Sequence, residues 1–162
     1  MIQKATLSQL PQIMTIYAKA RAFMAQTGNP DQWGTAYPGA DMIQRDIISG
    51  KCYVNSLEDK IRAVFYFGVE ADPTYSYIEG NWLNDAPYGV IHRIAVVESG
   101  KGTAAECFAF AAERCGNIRI DTHEKNIPMQ HCLAKNGFIR CGTIYLDNGD
   151  PRIAYQKVIE NG

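Results

Sequence analysis

The chain has 162 residues, 16 lysines and arginines against 17 aspartates and glutamates, and a formal net charge of −1 at pH 7. A chain of this length fits one domain, which we expect to span residues 1–162 and to bury roughly two-thirds of the surface that the unfolded chain exposes. Because the sequence contains no basic run that could neutralise a phosphate backbone, a nucleic-acid partner is not expected.

Membrane and targeting segments are not predicted either. The longest apolar stretches are far shorter than the roughly 20 residues of a membrane-spanning helix. Residues 1–6 have the features of neither a signal peptide nor a transit sequence. We therefore expect a cytoplasmic protein with no membrane partner.

The cysteines and histidines do not predict a metal site. The five cysteines are odd in number and form no C-x-x-C pair, and the three histidines are not spaced as a ligand set. We expect reduced thiols rather than disulfides, and no bound metal. The cysteines are Cys52, Cys107, Cys115, Cys132 and Cys141.

The N-terminal part of the chain predicts a strand and two helices. We predict a short strand at residues 2–5, then a helix with Thr6 or Ser8 as its N-cap and Gly28 as its stop. A second helix is predicted from residue 40 to residue 49. Both helices carry apolar residues at helical spacing, which is typical of a face that packs on a core.

A loop rich in helix-breaking residues joins these two helices, from Gly28 to Gly39. It carries two large aromatic residues, Trp33 and Tyr37, and the acidic Asp31. Turn-forming residues combined with large aromatics indicate a loop that covers something.

The rest of the chain predicts six more strands and two more helices. The predicted strands lie at 52–57, 61–69, 88–97, 118–122, 139–144 and 153–158. One helix starts near Ala104 and another follows Asn126, while residues 72–87 are turn-prone and aromatic. This order predicts an α/β (α+β) fold in which a mixed, mainly antiparallel sheet of about seven strands is flanked by about four helices.

The strongest motif is the apolar strand ending near Val97, which passes through Gly100 and Gly102 into the helix at Ala104. The first N–H groups of a helix have no partner within it and carry the positive end of its dipole, so they favour a phosphate. The two glycines are equally compatible with a tight strand-to-helix turn that binds nothing.

The spacing of the glycines distinguishes between the known phosphate-binding loops. A Walker A loop needs a glycine five residues before Gly100, where this chain has Ala95. A dinucleotide fingerprint matches Gly100, Gly102 and Ala105, and Asp121 stands where a ribose-binding acid would lie. However, too little chain follows Ala105 for the further strand–helix units that a dinucleotide fold needs.

Two motifs together resemble the GCN5-related N-acetyltransferase (GNAT) family. Ile94–Val96 followed by Gly100–Gly102 is similar to that family's apolar-Ala-Val strand and Q/R-x-x-G-x-G/A loop, with Val97 at the Q/R position as a departure. The segment from Asn126 to Phe138 is similar to its Asn-led helix ending in Lys-x-Gly-Phe. The resemblance covers essentially the whole chain.

The resemblance implies that acetyl-CoA is the cosubstrate. Its pyrophosphate is expected at the glycine turn, and its pantetheine arm is expected to pair with the strand backbone and to contact Asn126, which is also a candidate helix N-cap. The implied cofactor-binding residues are Ile94, Ala95, Val96, Ser99, Gly100, Lys101, Gly102, Thr103 and Asn126.

Acetyl transfer to an amine needs a base, an oxyanion donor and an acid for the leaving thiolate. His92, two residues before Ile94, is the candidate base, although a strand histidine bound to a neighbour is an equally simple interpretation. The usual acid of the family, a tyrosine in the Asn-led helix, is replaced by Leu133. Tyr145 is therefore the candidate acid, with Cys132 or water as alternatives.

The acceptor is expected to be a primary amine of a small molecule whose identity the sequence does not give. An amine that is cationic before deprotonation could use Asp31 and aromatic faces, although each aromatic could instead pack under a loop. A homodimer is also among the expected partners. The alternative function is an acyl-CoA-binding module that has lost turnover, suggested by Val97 and Leu133. The candidate acceptor residues are Asp31, Trp33, Tyr37 and Trp82.

Overall fold

The computed structural model describes residues 1–159 and contains eight strands and four α-helices. The strands are β1 (Ile2–Lys4), β2 (Cys52–Leu57), β3 (Lys60–Val69), β4 (Glu79–Gly80), β5 (Gly89–Val96), β6 (Asn117–Thr122), β7 (Ile139–Tyr145) and β8 (Pro151–Val158). The helices are α1 (Leu10–Gln26), α2 (Ala40–Ile48), α3 (Thr103–Arg114) and α4 (Ile127–Lys135). The predicted mixed α/β fold is confirmed.

The strands follow the hydrogen-bonded order β1-β2-β3-β5-β6-β8-β7-β4. The β5–β6 ladder is parallel and consists of the pairs Gly89↔Ile118 and Val90↔Arg119. The ladders of β1–β2, β2–β3, β4–β7, β6–β8 and β7–β8 are antiparallel. The sheet is therefore mixed and mainly antiparallel, as the order of elements predicts.

The count of seven strands is corrected to eight, because β4 lies in the turn-prone segment 72–87. A strand of two residues is too short to show the alternation by which strands are recognised. It forms because its glycine, Gly80, pairs with Gly142 of β7 across a very short backbone separation. A Cβ atom on Gly80 would lie against the Cys141 carbonyl oxygen and 2.9 Å from Gly142 Cα.

The start of α1 also differs from the prediction. Leu7–Gln9 form a 3₁₀ turn, and the Thr6 N–H donates a hydrogen bond to Gln9 Oε1 at 2.9 Å. Thr6 therefore caps this turn, whereas Gln9 is the N-cap of α1 itself, and Ser8 lies within the turn. The helix ends at Gln26, close to the predicted stop.

The described chain divides into two compact units: residues 1–67 with 92–107, and residues 68–91 with 108–159. The first unit has an apolar core to which α1 contributes Ile13, Ile16 and Tyr17, the i, i+3, i+4 spacing of one helix face. From α2, Ile43 and Ile47 pack on the same core. A single domain spanning residues 1–162 stays a prediction.

The second unit is built around its own buried apolar side chains. Phe108 and Phe138 meet edge to face with ring centroids 5.1 Å apart. Ile118 of β6, Leu133 of α4 and Ile144 of β7 are each at most 1 % exposed. Leu133 follows the apolar periodicity of a helix, and Ile118 and Ile144 follow that of half-buried strands. The sequence pattern therefore predicts that these side chains are buried.

Within the part of the chain that the structure describes, none of the helices has both the length and the apolar character needed to span a bilayer. The five cysteines are free thiols, as predicted, and Cys52 and Cys107 are buried. Burial raises the pKa of both these thiols from the ordinary 9.0 to about 12.

The buried thiols predict a pH limit and a labelling pattern. Because the unfolded chain releases these protons near pH 9 and the folded chain near pH 12, the stability they contribute is complete below pH 9 and falls as the pH rises toward 12. At pH 8, iodoacetamide should therefore leave Cys52 and Cys107 unmodified in the native protein and alkylate both in urea, as read by peptide mass spectrometry. Alkylation of either thiol at the same rate in both conditions would contradict this expectation.

Candidate active site

The turn between β5 and α3 places backbone N–H groups at a helix start. Gly100 and Gly102 adopt left-handed conformations, with φ of 78° and 74°. The Glu106 N–H bonds to the Gly102 carbonyl at 3.2 Å, so residues 103–105 precede the first helical hydrogen bond. Their N–H groups are those that a helix leaves for a ligand, a cap or water.

The space in front of both glycines is open. A Cβ atom built on Gly100 or Gly102 would have no heavy atom within 4 Å. Steric contact with neighbouring atoms is therefore not the reason for glycine at these two positions. The reason is the left-handed φ, which glycine adopts more readily than other residues. A backbone that is exposed in this conformation and faces open space fits the pyrophosphate expected from the sequence.

Arg93 interrupts the regular course of β5 just before this turn. Its φ is +51°, a left-handed conformation that a non-glycine residue seldom adopts within a strand. The alternation of faces is lost there, since His92 and Arg93 are both half-buried and Ile94 and Ala95 are both buried. A local irregularity of this kind redirects the side chains on either side of it. The prediction that every second residue of this strand, counted through His92, faces the core is therefore wrong at this point.

The Arg93 side chain is held by an acidic partner on α2. Its Nε and Nη2 donate hydrogen bonds to Asp46 Oδ2 at 3.1 and 2.8 Å, and both side chains are 12 % exposed. Burial acts to lower the pKa of Arg93, but Tyr37 and Asp46 raise it by more, so the guanidinium stays charged. Burial raises the pKa of Asp46, against the opposing effect of Arg93.

One predicted acceptor residue, Tyr37, contacts this ion pair, and a second, Trp33, lies beside Tyr37. Arg93 Nη1 donates to the Tyr37 hydroxyl at 3.2 Å, and Tyr37 lies 6.1 Å from Trp33 between ring centroids. Asp31, the third predicted residue of this loop, is exposed. Among these three residues, Tyr37 is the one for which the structure shows a hydrogen bond to Arg93.

The candidate base lies in the same unit. The His92 ring centroid is 5.6 Å from that of Tyr66, and the Arg93 guanidinium lies 4.8 Å from the same Tyr66 ring. Sequence reasoning missed Asp46, Tyr66 and Arg93. The available signals were a carboxylate on the apolar face of α2 and an arginine within an otherwise apolar strand.

Asn126 lies in the second unit, where it is the N-cap of α4. Its side-chain oxygen accepts a hydrogen bond from the Met129 N–H at 3.1 Å, and the residue is 8 % exposed. The capping interpretation is therefore confirmed, including Pro128 in the first turn. Contact with a pantetheine arm stays a prediction.

Trp82 also belongs to the second unit, where it packs within the segment before β5. Its indole N–H donates to the Tyr75 carbonyl at 3.1 Å. The Arg119 guanidinium lies 4.1 Å from the Trp82 ring centroid and 4.0 Å from that of Tyr88. Packing under a loop accounts for this aromatic, and its role toward an acceptor stays a prediction.

The same segment is tied to the strands by buried amides. Gln156, which is 0 % exposed, accepts a hydrogen bond from the Leu83 N–H at 2.7 Å and donates to Asn117 Oδ1 at 2.6 Å. Arg119 donates to the Asn84 carbonyl at 2.9 Å. These hydrogen bonds join the segment before β5 to β6 and β8.

Tyr145, the candidate acid, ends β7 and is 37 % exposed. A hydrogen bond to Glu79 is the largest of the effects that raise the pKa of its phenol, so the hydroxyl keeps its proton. Leu133 is fully buried in α4, and burial raises the pKa of the Cys132 thiol. Among residues 1–159, no cluster of three or more His, Cys, Asp or Glu side chains is arranged to hold a metal ion.

Comparisons with known proteins bear on the fold and the family of this chain. No protein-family model matches the chain, and a sequence comparison with curated proteins also finds no match. Among solved structures, a GNAT-family acetyltransferase from Streptococcus agalactiae 2603 is 35 % identical over 99 % of this chain and 96 % of that chain, with a TM-score of 0.91.

More distant structures share the fold. A GNAT-family acetyltransferase from Listeria monocytogenes 4b F2365 is 19 % identical over 98 % of this chain and 94 % of that chain, with a TM-score of 0.73. A chain of the NatC complex bound to Gag peptide and CoA is 14 % identical over 99 % of this chain and 98 % of that chain, with a TM-score of 0.62. Given the identity and coverage of the streptococcal structure, the chain belongs to the GNAT family of acetyltransferases.

Proposed function

We propose that this protein transfers an acetyl group from acetyl-CoA to a primary amine of a small molecule. The observation that supports this most directly is the glycine turn, where two left-handed glycines face open space at the start of α3. Family membership supports acetyl transfer as the reaction, and the open turn supports a phosphate-binding role for this part of the chain.

The residues at this turn fit acetyl-CoA through their backbone. The N–H groups of residues 99–103 would hold the pyrophosphate, and the backbone of Ile94, Ala95 and Val96 would pair with the pantetheine as a strand does. Asn126 would contact the same arm. When bound, acetyl-CoA supplies an activated thioester carbonyl.

Three protein groups have roles in this proposal. His92 accepts the proton that the amine must lose, and the Ile94 N–H donates to the oxygen that gains charge in the transition state. Tyr145, whose phenol keeps its proton, is the proposed donor to the departing thiolate. In the acceptor region, Trp33 and Tyr37 present aromatic faces to a cationic amine.

A thermal-shift comparison of acetyl-CoA, CoA and NAD tests the cosubstrate. A ligand that binds only the folded state at 100 times its Kd adds about 2.7 kcal/mol, which for a chain of this size raises Tm by roughly 5–10 °C. We expect this shift with acetyl-CoA and CoA and none with NAD. Stabilisation by NAD alone would contradict the acetyltransferase proposal.

The second candidate is a binding module that keeps the cosubstrate but has lost turnover. The observation that favours it is the fully buried Leu133, which leaves no hydroxyl at the family's usual acid position. The two candidates are distinguished by incubating the protein with acetyl-CoA and a panel of amines and by measuring the release of free thiol. Binding without thiol release on any amine would favour the module.

The substitution Gly102→Asp is expected to weaken CoA binding by roughly tenfold or more, because it places a side chain and a negative charge in front of the phosphate-facing N–H groups. Calorimetric titration measures the effect. Gly149→Asp is the matched control, since Gly149 is also left-handed, with φ of 89°, and its Cβ would also meet no atom within 4 Å. Equal CoA affinity in the two folded variants would show that Gly102 only turns the chain.

A further inference from the structure

Arg93 is held by both its backbone and its side chain. Its carbonyl oxygen accepts a hydrogen bond of 2.7 Å from the hydroxyl of Tyr17, which is 1 % exposed in the core of the first unit. Its guanidinium donates two hydrogen bonds to Asp46, which lies on α2 between the core residues Ile43 and Ile47. A left-handed non-glycine residue persists only when surrounding contacts impose that conformation, and these contacts come from two helices.

The same guanidinium reaches the two parts of the proposed site in this unit. It donates to the hydroxyl of Tyr37 in the loop between α1 and α2. It also lies over the face of Tyr66, the ring that contacts His92. One charged group therefore joins the acceptor-side loop, α2 and the strand that carries the proposed base.

We propose that Arg93, held by Asp46, is a positioning residue for acetyl transfer: it fixes the left-handed turn of β5 that orients His92 on one side and the Ile94 N–H on the other, and it holds the loop at Tyr37. Arg93 contacts neither reactant in this proposal. The expected kinetic effects of this inference rest on the proposed function. The expected effect on the conformation of β5 and of the loop at Tyr37 does not depend on that function.

The two roles of Arg93 are separated by comparing Arg93→Ala with Arg93→Gly. Both variants lose the contacts to Asp46 and Tyr37, but glycine adopts φ near +51° without the penalty that alanine has. We therefore expect the kcat of Arg93→Gly to exceed that of Arg93→Ala by roughly fivefold, while both raise the KM for the amine by a similar factor. If Arg93 had a merely structural role, the kcat of Arg93→Gly would not exceed that of Arg93→Ala. Equal kcat values in the two variants would therefore overturn the proposal.

The acidic partner is tested by Asp46→Asn against Asp41→Asn, a matched change at an exposed carboxylate of the same helix. Asp46→Asn should lower kcat roughly tenfold and leave the KM for acetyl-CoA within about twofold, whereas Asp41→Asn should change neither. An Asp46→Asn enzyme with wild-type kcat would overturn the proposal. If Asp46→Asn does not fold, the Arg93 pair still decides the question.

Hydrogen exchange tests the conformational part without turnover. Amides of residues 92–96 and 28–39 should exchange at least about fivefold faster in Asp46→Asn and Arg93→Ala than in Asp41→Asn. Unchanged exchange in both segments would overturn the positioning role. Failure of every amine to react, with exchange altered as expected, would instead count against the proposed function alone.

Discussion

Replacing His92 with glutamine is expected to lower kcat/KM for the best amine by roughly 100-fold or more, which corresponds to about 2.7 kcal/mol of lost transition-state stabilisation. Glutamine keeps a polar side chain of similar size beside Tyr66 but cannot take up a proton at neutral pH. Because glutamine can occupy the half-buried position beside Tyr66, we expect the variant to fold and to keep its affinity for CoA.

The measurement combines steady-state kinetics with a pH–rate profile. The His92→Gln variant should lose whatever part of the wild-type pH dependence the general base contributes. His131→Gln, a change at an exposed position of α4, is the control and should leave both the rate and the profile unchanged. Normal turnover by His92→Gln would mean that another group removes the amine proton.

Replacing Gly142 with alanine is expected to lower the stability of the second unit strongly. The added Cβ would lie against the Glu79 carbonyl oxygen, 2.9 Å from the Glu79 carbonyl carbon and 3.0 Å from Gly80 Cα. These are backbone atoms of a paired strand, so β4 and β7 must separate, and the φ of +154° adds further strain. Overpacking of this kind costs about 3 kcal/mol, or roughly 6–12 °C in Tm.

Gly149→Ala provides the comparison for this clash. Gly149 is also left-handed but faces open space, so its substitution should cost only about 1 kcal/mol, the conformational penalty alone. Urea denaturation of both variants gives the difference in the free energy of unfolding. If Gly142→Ala proves as stable as Gly149→Ala, the strands can separate at no cost and the close pairing of β4 with β7 is not required.

The sequence was most informative where local patterns decide the structure. The apolar spacing of α1 and α2, the hairpin of β2 and β3, and the glycine turn before α3 all follow from propensities and periodicities that neighbouring residues share. Asn126 illustrates the same point, since a helix N-cap depends only on the residue itself and the next three positions.

Features decided by distant contacts could not be predicted in this way. The left-handed conformation of Arg93 depends on Tyr17 and Asp46, which precede it by many residues. An arginine within an apolar strand marks an unusual position, but it does not indicate that conformation. Similarly, β4 exists because Gly80 meets Gly142, a pairing between residues far apart in the chain. Trp82 is a third example, because an aromatic residue in a turn-prone segment can contact either a ligand or a buried arginine. The sequence does not distinguish these roles, whereas the structure shows that Arg119 lies over the Trp82 ring.

The attachment of Arg93 to both Tyr37 and Asp46 has a consequence for any redesign of the loop between α1 and α2. Because loop and helix share one guanidinium, exchanging the loop alone leaves a hydrogen-bond donor without its acceptor, and exchanging the helix alone leaves a half-buried cation without its counter-ion. Chimaeras between this protein and its relatives should therefore transplant residues 28–48 as one segment, together with the residue that occupies position 93.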